Sequence, residues 1–194
     1  MCIAGVLGTG SALPEKVISN ADLEKLVDTS DEWIRSRTGI SERRQAAPHE
    51  TTSTLSVRAS RQALERAEIR ATDLDLIICS TISPDMPLPS TAALIQRELG
   101  ATGCCAFDLA AACSGFLFGM TVAEQFIRTG AAKHVLVIGA ELLSRYIGDK
   151  HSARAVGRIE ELAAAMVATE MFGVFGTQER ALMMIEPPGE PRIG

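Results

Sequence analysis

The chain's apolar residues gather in short unbroken runs, and between those runs they recur every three or four positions. "CIAGVLGTG" (2–10), "LDLIICSTI" (74–82), "CCAFDL" (104–109) and "HVLVIGAE" (134–141) have the length and β-branched content of buried strands. The intervening stretches predict helices. "NADLEKLVD" is a short one with Asn20 as its cap. "SDEWIRSRTG" is another, with Ser30 capping, acids in the first turn and Gly39 closing it. Leucine and alanine at helical spacing predict a half-exposed helix over 54–67. A proline-rich loop, "SPDMPLPS", leads to the helix "TAALIQREL", stopped by Gly100, and a further helix spans 113–129, ended by Gly130. Strands that are apolar throughout, alternating with helices, predict an α/β fold: a mostly parallel sheet covered by helices on both faces.

No repeat, low-complexity run or linker interrupts this pattern before residue 145. Beyond it the pattern changes, so the chain divides into 1–145 and a tail, 146–194. In the tail, "ARAVGRIEELAAAMVATEMF" predicts an amphipathic helix with Val156, Ile159, Leu162, Ala163, Met166 and Val167 on one side. The "FGVFGTQERALMMIEPPGEPRIG" that follows has room for a strand.

Composition narrows the function classes. The 194 residues, 46% hydrophobic and 22% charged, suit a globule with one sizeable core or half of a pseudo-repeated one. A net charge of −5 with no basic block argues against a nucleic-acid partner. The local cluster Arg35, Arg37, Arg43 and Arg44 points instead to a small anionic ligand. No run reaches the roughly 18 apolar residues a membrane span needs, and the N-terminus lacks a signal peptide's basic start. Five cysteines without a CxxC pair, and no histidine at ligand spacing, argue against a disulfide framework or a metal site. The expected compartment is a reducing cytoplasm.

Chemistry centres on "FDLAAACSGFLFGM" (107–120), where Cys113 follows the carboxyl end of a predicted strand and opens a predicted helix. Reactive groups collect at that edge of an open α/β sheet. A helix N-terminus favours a thiolate, and its N–H groups can contribute to an oxyanion hole. A free cysteine among apolar residues is also an ordinary core residue, and position alone leaves both readings open. Cys79, Cys104 and Cys105, inside or at the start of strands, take the structural reading.

"DLAAACSGF" resembles the nucleophile turn of β-ketoacyl-acyl-carrier-protein synthase III, a condensing enzyme of the thiolase superfamily. "GTGSALPEKVISNADLEKLVDTSDEWIRSRTGISER" is similar to the opening of that family, with its Asp-Glu-Trp-Ile and Arg-Thr-Gly-Ile hallmarks. "PSTAALIQRELG" and "GAAKHVLVIGAELLSR" also fit, so the likeness runs from residue 5 to about 145. The resemblance implies one half of the two-half thiolase-like fold, with Cys113 as the catalytic nucleophile. The thiol would take an acyl group from acyl-coenzyme A, and malonyl carried on acyl carrier protein would then decarboxylate and attack the thioester. The coenzyme A thioester would be a substrate, with no cofactor permanently bound. Trp33, the chain's one tryptophan, would stack the adenine, with Arg37 holding the nucleotide and Thr38 beside it. Arg35, Arg43 and Arg44 are left as surface charge. Leu88, in the loop that the family extends across its dimer, would line the acyl pocket of the partner. The implied partners are acyl-coenzyme A, acyl carrier protein and either a second copy or a chain carrying the C-terminal half.

The family's second half supplies a His and an Asn in His-Gln-Ala-Asn and Gly-Asn-Thr stretches, and neither stretch occurs in these residues. His49, His134 and His151 read as structural or solvated, and Thr-Gln-Glu-Arg (177–180) stands where the family has a glycine-rich loop. Two rival readings follow: a related condensing or acyl-shuttling enzyme, and a catalytically silent subunit that pairs with another thiolase-like chain.

Overall fold

The structure, a computed structural model, describes residues 4–26, 28–143 and 180–186, the last segment as backbone. The predicted amphipathic helix, His151, Cys2 and most of the Thr-Gln-Glu-Arg stretch lie outside the described residues. Five strands form one mixed sheet, in the spatial order β1 (Gly5–Ser11), β7 (Arg180–Glu186), β6 (Val135–Gly139), β4 (Leu76–Ser80), β5 (Cys105–Leu109). β4 pairs in parallel with both β5 and β6, while β7 runs antiparallel to β6 and β1. Four of the five strands therefore point one way, and β7, from the tail, sits between β1 and β6.

Alternation along β4 and β6 divides the core in two. Ile77, Cys79, Leu136 and Ile138 face a cluster with Leu55, Ala59 and Ala63 of α3 (Thr52–Ala67) and Ile95 of α4 (Thr91–Leu99). Leu76, Ile78, Val135 and Val137 face the opposite side, with Ala123 and Ile127 of α5 (Gly115–Arg128). Both faces of these strands are dry, which is why their sequences carry no polar alternation. A Cβ added at Gly8 or Gly10 would collide with the α3 backbone at Ala63 or Ala59, so glycine lets β1 lie against that helix. α3 begins at Thr52, capped by Thr51, and is more buried than its periodicity predicts. Its inward Ser56 and Ser60 satisfy their hydroxyls on Thr52 O and Ser56 O, each at 2.7 Å.

An excursion between β1 and α3 carries α1 (Asn20–Leu23), α2 (Asp31–Thr38) and a small antiparallel pair, β2 (Lys16–Ser19) with β3 (Glu42–Gln45). The cap of α1 is Ser19 and not Asn20. Ser19 Oγ accepts from Asp22 N, and the Asp22 carboxylate accepts from Ser19 N. Asn20 is buried, and its amide donates to Asp31 at 2.7 Å and to Ile40 O at 2.6 Å. Arg43 is buried as well, donating to Asn20 Oδ1 at 2.6 Å and to Ile18 O. Arg44 reaches the carbonyls of Pro14 and Glu15. The expectation that Arg43 and Arg44 are surface charge is thus corrected: they pin this excursion together. The reason is β2–β3 pairing, which turns Arg43 inward beside an amide oxygen that needs a donor.

Candidate functional site

The carboxyl ends of the three parallel strands meet at one edge. Thr81 N donates to Leu109 O and Ala140 N to Ser80 O, tying the exit of β4 to those of β5 and β6. Past β5 the chain makes a single 3-10 turn, Ala112–Ser114, and only then enters α5. The helix starts at Gly115, two residues later than its sequence predicts. Ala112 occupies the left-handed region at φ 46, an uncommon conformation for a residue with a side chain, and Cys113 follows it on the surface. A Cβ at Gly115 would run into Ser80 Oγ, so the first residue of α5 has to be glycine for the turn to lie over β4. Cys113 is therefore exposed and free, at the edge where sequence reasoning places it, and not packed in a core.

Inside the turn the N–H groups of Ser114 and Gly115 donate to Ala111 O and Ala112 O. The tight 3-10 closure that exposes the sulfur is what uses them.

Trp33, Arg37 and Thr38 share α2. Ser30 caps it by accepting from Trp33 N, Asp31 and Glu32 lie in its first turn, and Gly39 closes it at φ 76, as the sequence predicts. Trp33 remains 39% exposed, and the Arg37 guanidinium lies 5.0 Å from the centre of its ring. This cation–π contact is worth about 0.5–1 kcal/mol at a surface and holds the positive charge over one face of the indole. Thr38 turns inward, donating to Ile34 O at 2.7 Å and accepting from Ile40 N, which places its hydroxyl in the helix end rather than on the Trp33 surface. Arg35 is exposed and pairs with Asp31; its hydrogen bond, helped by one from Asn20, holds the Asp31 carboxyl below its usual range.

Leu88 is at the tip of the segment joining β4 to α4 and is 84% exposed, with Ile82 and Met86 also exposed on it. The structure thus forms two groups: Cys113 and the Leu88 segment on the sheet edge, and the aromatic–guanidinium pair on α2. Surface cavities among the described residues lie elsewhere. One of about 540 Å³ is lined by Asp75 and residues 127–133, and one of about 320 Å³ lies between the start of β1 and the outer face of α5.

Cys79, Cys104 and His134 have structural places, whereas Cys105 is exposed and free and His49 is exposed. Cys79 is fully buried in β4, and burial pushes its thiol up. Cys104, half-buried, is also pushed up by burial and donates to Ala101 O. His134 holds the chain entering β6 through Asp73 O and the Asp75 carboxylate. Among the described residues no group of three or more His, Cys, Asp or Glu is placed to hold a metal ion.

Sequence reasoning missed one acid at this edge. Glu141, two residues past β6, is half-buried; its carboxylate accepts from Ile82 N at 2.9 Å and Ser83 Oγ at 2.6 Å. Burial raises its carboxyl above the usual value, against those hydrogen bonds, which lower it. An acid directly after a buried strand, in "VIGAELL", was the available signal.

Five strands in this order, with one reversed and helices on both faces, define a thiolase-like α/β half, and the turn that carries Cys113 lies at its sheet edge. The family described as 3-oxoacyl-[acyl-carrier-protein] synthase III matches residues 107–171, past the change of pattern at 145. The β-ketoacyl-[acyl-carrier-protein] synthase III of Caldanaerobacter subterraneus subsp. tengcongensis is 48% identical over 201 aligned residues, covering 98% of this chain and 60% of its own length. That of Xylella fastidiosa is 58% identical over 144 residues, 74% of this chain and 44% of its own. Among solved structures, 3-oxoacyl-[acyl-carrier-protein] synthase III from Aquifex aeolicus superposes with a TM-score of 0.79 at 40% identity, over 96% of this chain and 55% of that one. The priming β-ketosynthase of the R1128 polyketide pathway gives 0.79 at 31%, over 97% and 51%. The chain belongs to the β-ketoacyl-acyl-carrier-protein synthase III family and corresponds to the N-terminal part of its members. It spans about half the length of the curated relatives it matches.

Proposed function

We propose that this chain carries the acyl-accepting half of a β-ketoacyl-acyl-carrier-protein synthase III, the step that starts fatty-acid synthesis. Cys113 attacks the carbonyl of acyl-coenzyme A as a thiolate. The new carbon–sulfur bond forms as the old one breaks, and coenzyme A leaves as the thiol. In the second step malonyl on acyl carrier protein loses carbon dioxide, its carbanion attacks the acyl-cysteine, and the cysteine thiolate departs. That condensation calls for an acid and hydrogen-bond donors, and we assign those to the His and Asn of a second thiolase-like half. Trp33 and Arg37 are the coenzyme A contacts of this reading, with Thr38 supporting the end of their helix, and Leu88 is a wall of the partner's acyl pocket. Thioester exchange requires no permanently bound cofactor, and the free thiols suit a reducing cytoplasm. The observation that carries the reading is the free, exposed Cys113, lifted off the sheet edge by the left-handed turn at Ala112.

The test is intact mass after incubation with acetyl-coenzyme A. A gain of one acyl group, absent in Cys113→Ala, is expected; no gain on folded protein overturns the reading. A second reading, a silent subunit that pairs with another thiolase-like chain, is favoured by the apolar outer face of α5, where Leu117 and Phe118 are 64% and 55% exposed. In either case that face would be covered by a second half, from another copy or from a chain carrying the family's C-terminal part.

A further inference from the structure

The segment from Thr81 to Ser90 would be expected to wander, since its tip is exposed and it contains no regular structure. Instead it is fastened at both ends and in the middle by carboxylates. At its start, the Glu141 carboxylate takes the Ile82 N–H on one oxygen and the Ser83 hydroxyl on the other, and Ser83 Oγ in turn accepts from Leu142 N at 2.8 Å. In its middle, Asp85 accepts from Ser53 N and Ser53 Oγ, and Thr52 Oγ1 donates to Ser83 O at 2.7 Å, locking the segment to the first turn of α3. Just past its end, both Asp108 oxygens accept from the opening amides of α4, Thr91 N and Ala92 N, at 2.7 Å each. Asp85 and Asp108 also cap helices, which accounts for them as structural residues.

Glu141 caps nothing. It reaches from the exit of β6 across the sheet edge, and both of its oxygens are taken by the segment that carries Leu88. Half-burying a carboxylate has a cost that hydrogen bonds to charge offset only when geometry is fixed. The acid is therefore kept where it holds something in place.

We propose that Glu141 is a positioning residue for acyl selectivity: through Ile82 and Ser83 it fixes the segment so that Leu88 stands at one height against the acyl chain. The proposal rests on the function given above, in that Leu88 is a pocket wall and Cys113 accepts the acyl group. Loosening the clamp lets Leu88 yield to longer chains while leaving the sulfur as reactive as before. Gln in place of Glu keeps the connection, because its oxygen accepts from Ile82 N and its amide donates to the Ser83 hydroxyl, which has a spare lone pair.

The experiment compares the whole chain with Glu141→Ala and Glu141→Gln. Amide hydrogen exchange is followed at 82–90 and at Leu142, and Cys113 acylation by acetyl- and octanoyl-coenzyme A is timed by intact mass, with iodoacetamide as a size-independent probe of the thiol. Expected for Glu141→Ala are exchange at Ile82 and Leu142 at least about tenfold faster and an octanoyl-to-acetyl rate ratio shifted at least about fivefold, with alkylation within about twofold of the unaltered chain. Glu141→Gln should restore the original ratio. Unchanged exchange in Glu141→Ala overturns the proposal, and so does faster exchange with an unchanged ratio. An unaltered chain that takes no acyl group from either thioester marks instead a failure of the functional reading, and the selectivity role falls with it.

Discussion

Cys113 owes its exposure to Ala112, whose left-handed backbone turns the chain out of β5 before α5 begins. A β-branched side chain tolerates that backbone poorly, so Ala112→Val should lose about 2 kcal/mol in urea unfolding, whereas Ala112→Gly should unfold within about 1 kcal/mol of the parent. Equal midpoints for the valine variant would show that the turn is not held in this conformation. Trp33 is the chain's one indole, so its fluorescence reports on its own surface directly. Coenzyme A is expected to quench it, and Arg37→Ala should weaken that binding by roughly tenfold, the effect of one charged hydrogen bond, without changing the far-ultraviolet circular dichroism. At this scale the sequence was informative for chemistry and silent on contacts. Cys113, Trp33 and Arg37 stood out by type and context, while Asn20 bonded to Arg43 joins positions 23 apart and has no local signature.

Among the elements, α2 was legible in full, because its start, its charge pattern and its glycine stop are all encoded within ten residues. Ser30→Ala should remove the cap, cost about 1 kcal/mol and loosen the helix that carries Trp33, seen as weaker coenzyme A quenching. The β2–β3 pair was not legible: its strands are four residues each, lie more than twenty residues apart and pair without a tight turn. α5 was legible except at its start, where a 3-10 turn whose end lies close over Ser80 replaces the expected first residues. Glu141 adds a pH dependence at the loop between β4 and α4. Its folded carboxyl binds a proton more tightly than the unfolded one, so stability should fall as pH rises from its ordinary value near 4.5 through the raised folded value, then level off. In Glu141→Gln that falling stretch should disappear from urea midpoints measured across pH 4–8.

At the level of the whole molecule, the sheet is completed by a strand the local pattern only hinted at. β7 lies between β1 and β6, so the tail beyond 145 supplies an interior strand, and the change of sequence pattern there is not a break in the sheet. On the far side, Val6, Leu117, Phe118 and Phe126 leave an apolar surface along β1 and α5. Replacing Leu117 and Phe118 together by Asp should shift sedimentation toward the monomer at unchanged circular dichroism. An unaltered sedimentation profile would remove α5 as the pairing face. No helix among the described residues is long and apolar enough to cross a membrane.

Local order was written in the sequence. Apolar runs named four of the strands, though only β4 and β6 are buried almost throughout while β1 is largely exposed. Caps and glycines bounded most helices, and a cysteine between a strand and a helix named the candidate nucleophile, because propensity and capping act over a few neighbouring residues. Only the folded chain decided which strands lie side by side, that Arg43 is buried, that the amides beside Cys113 donate inside its turn, and that Glu141 grips the segment bearing Leu88. Those facts depend on residues far apart in sequence sharing a few ångströms of space, and no local pattern fixes them.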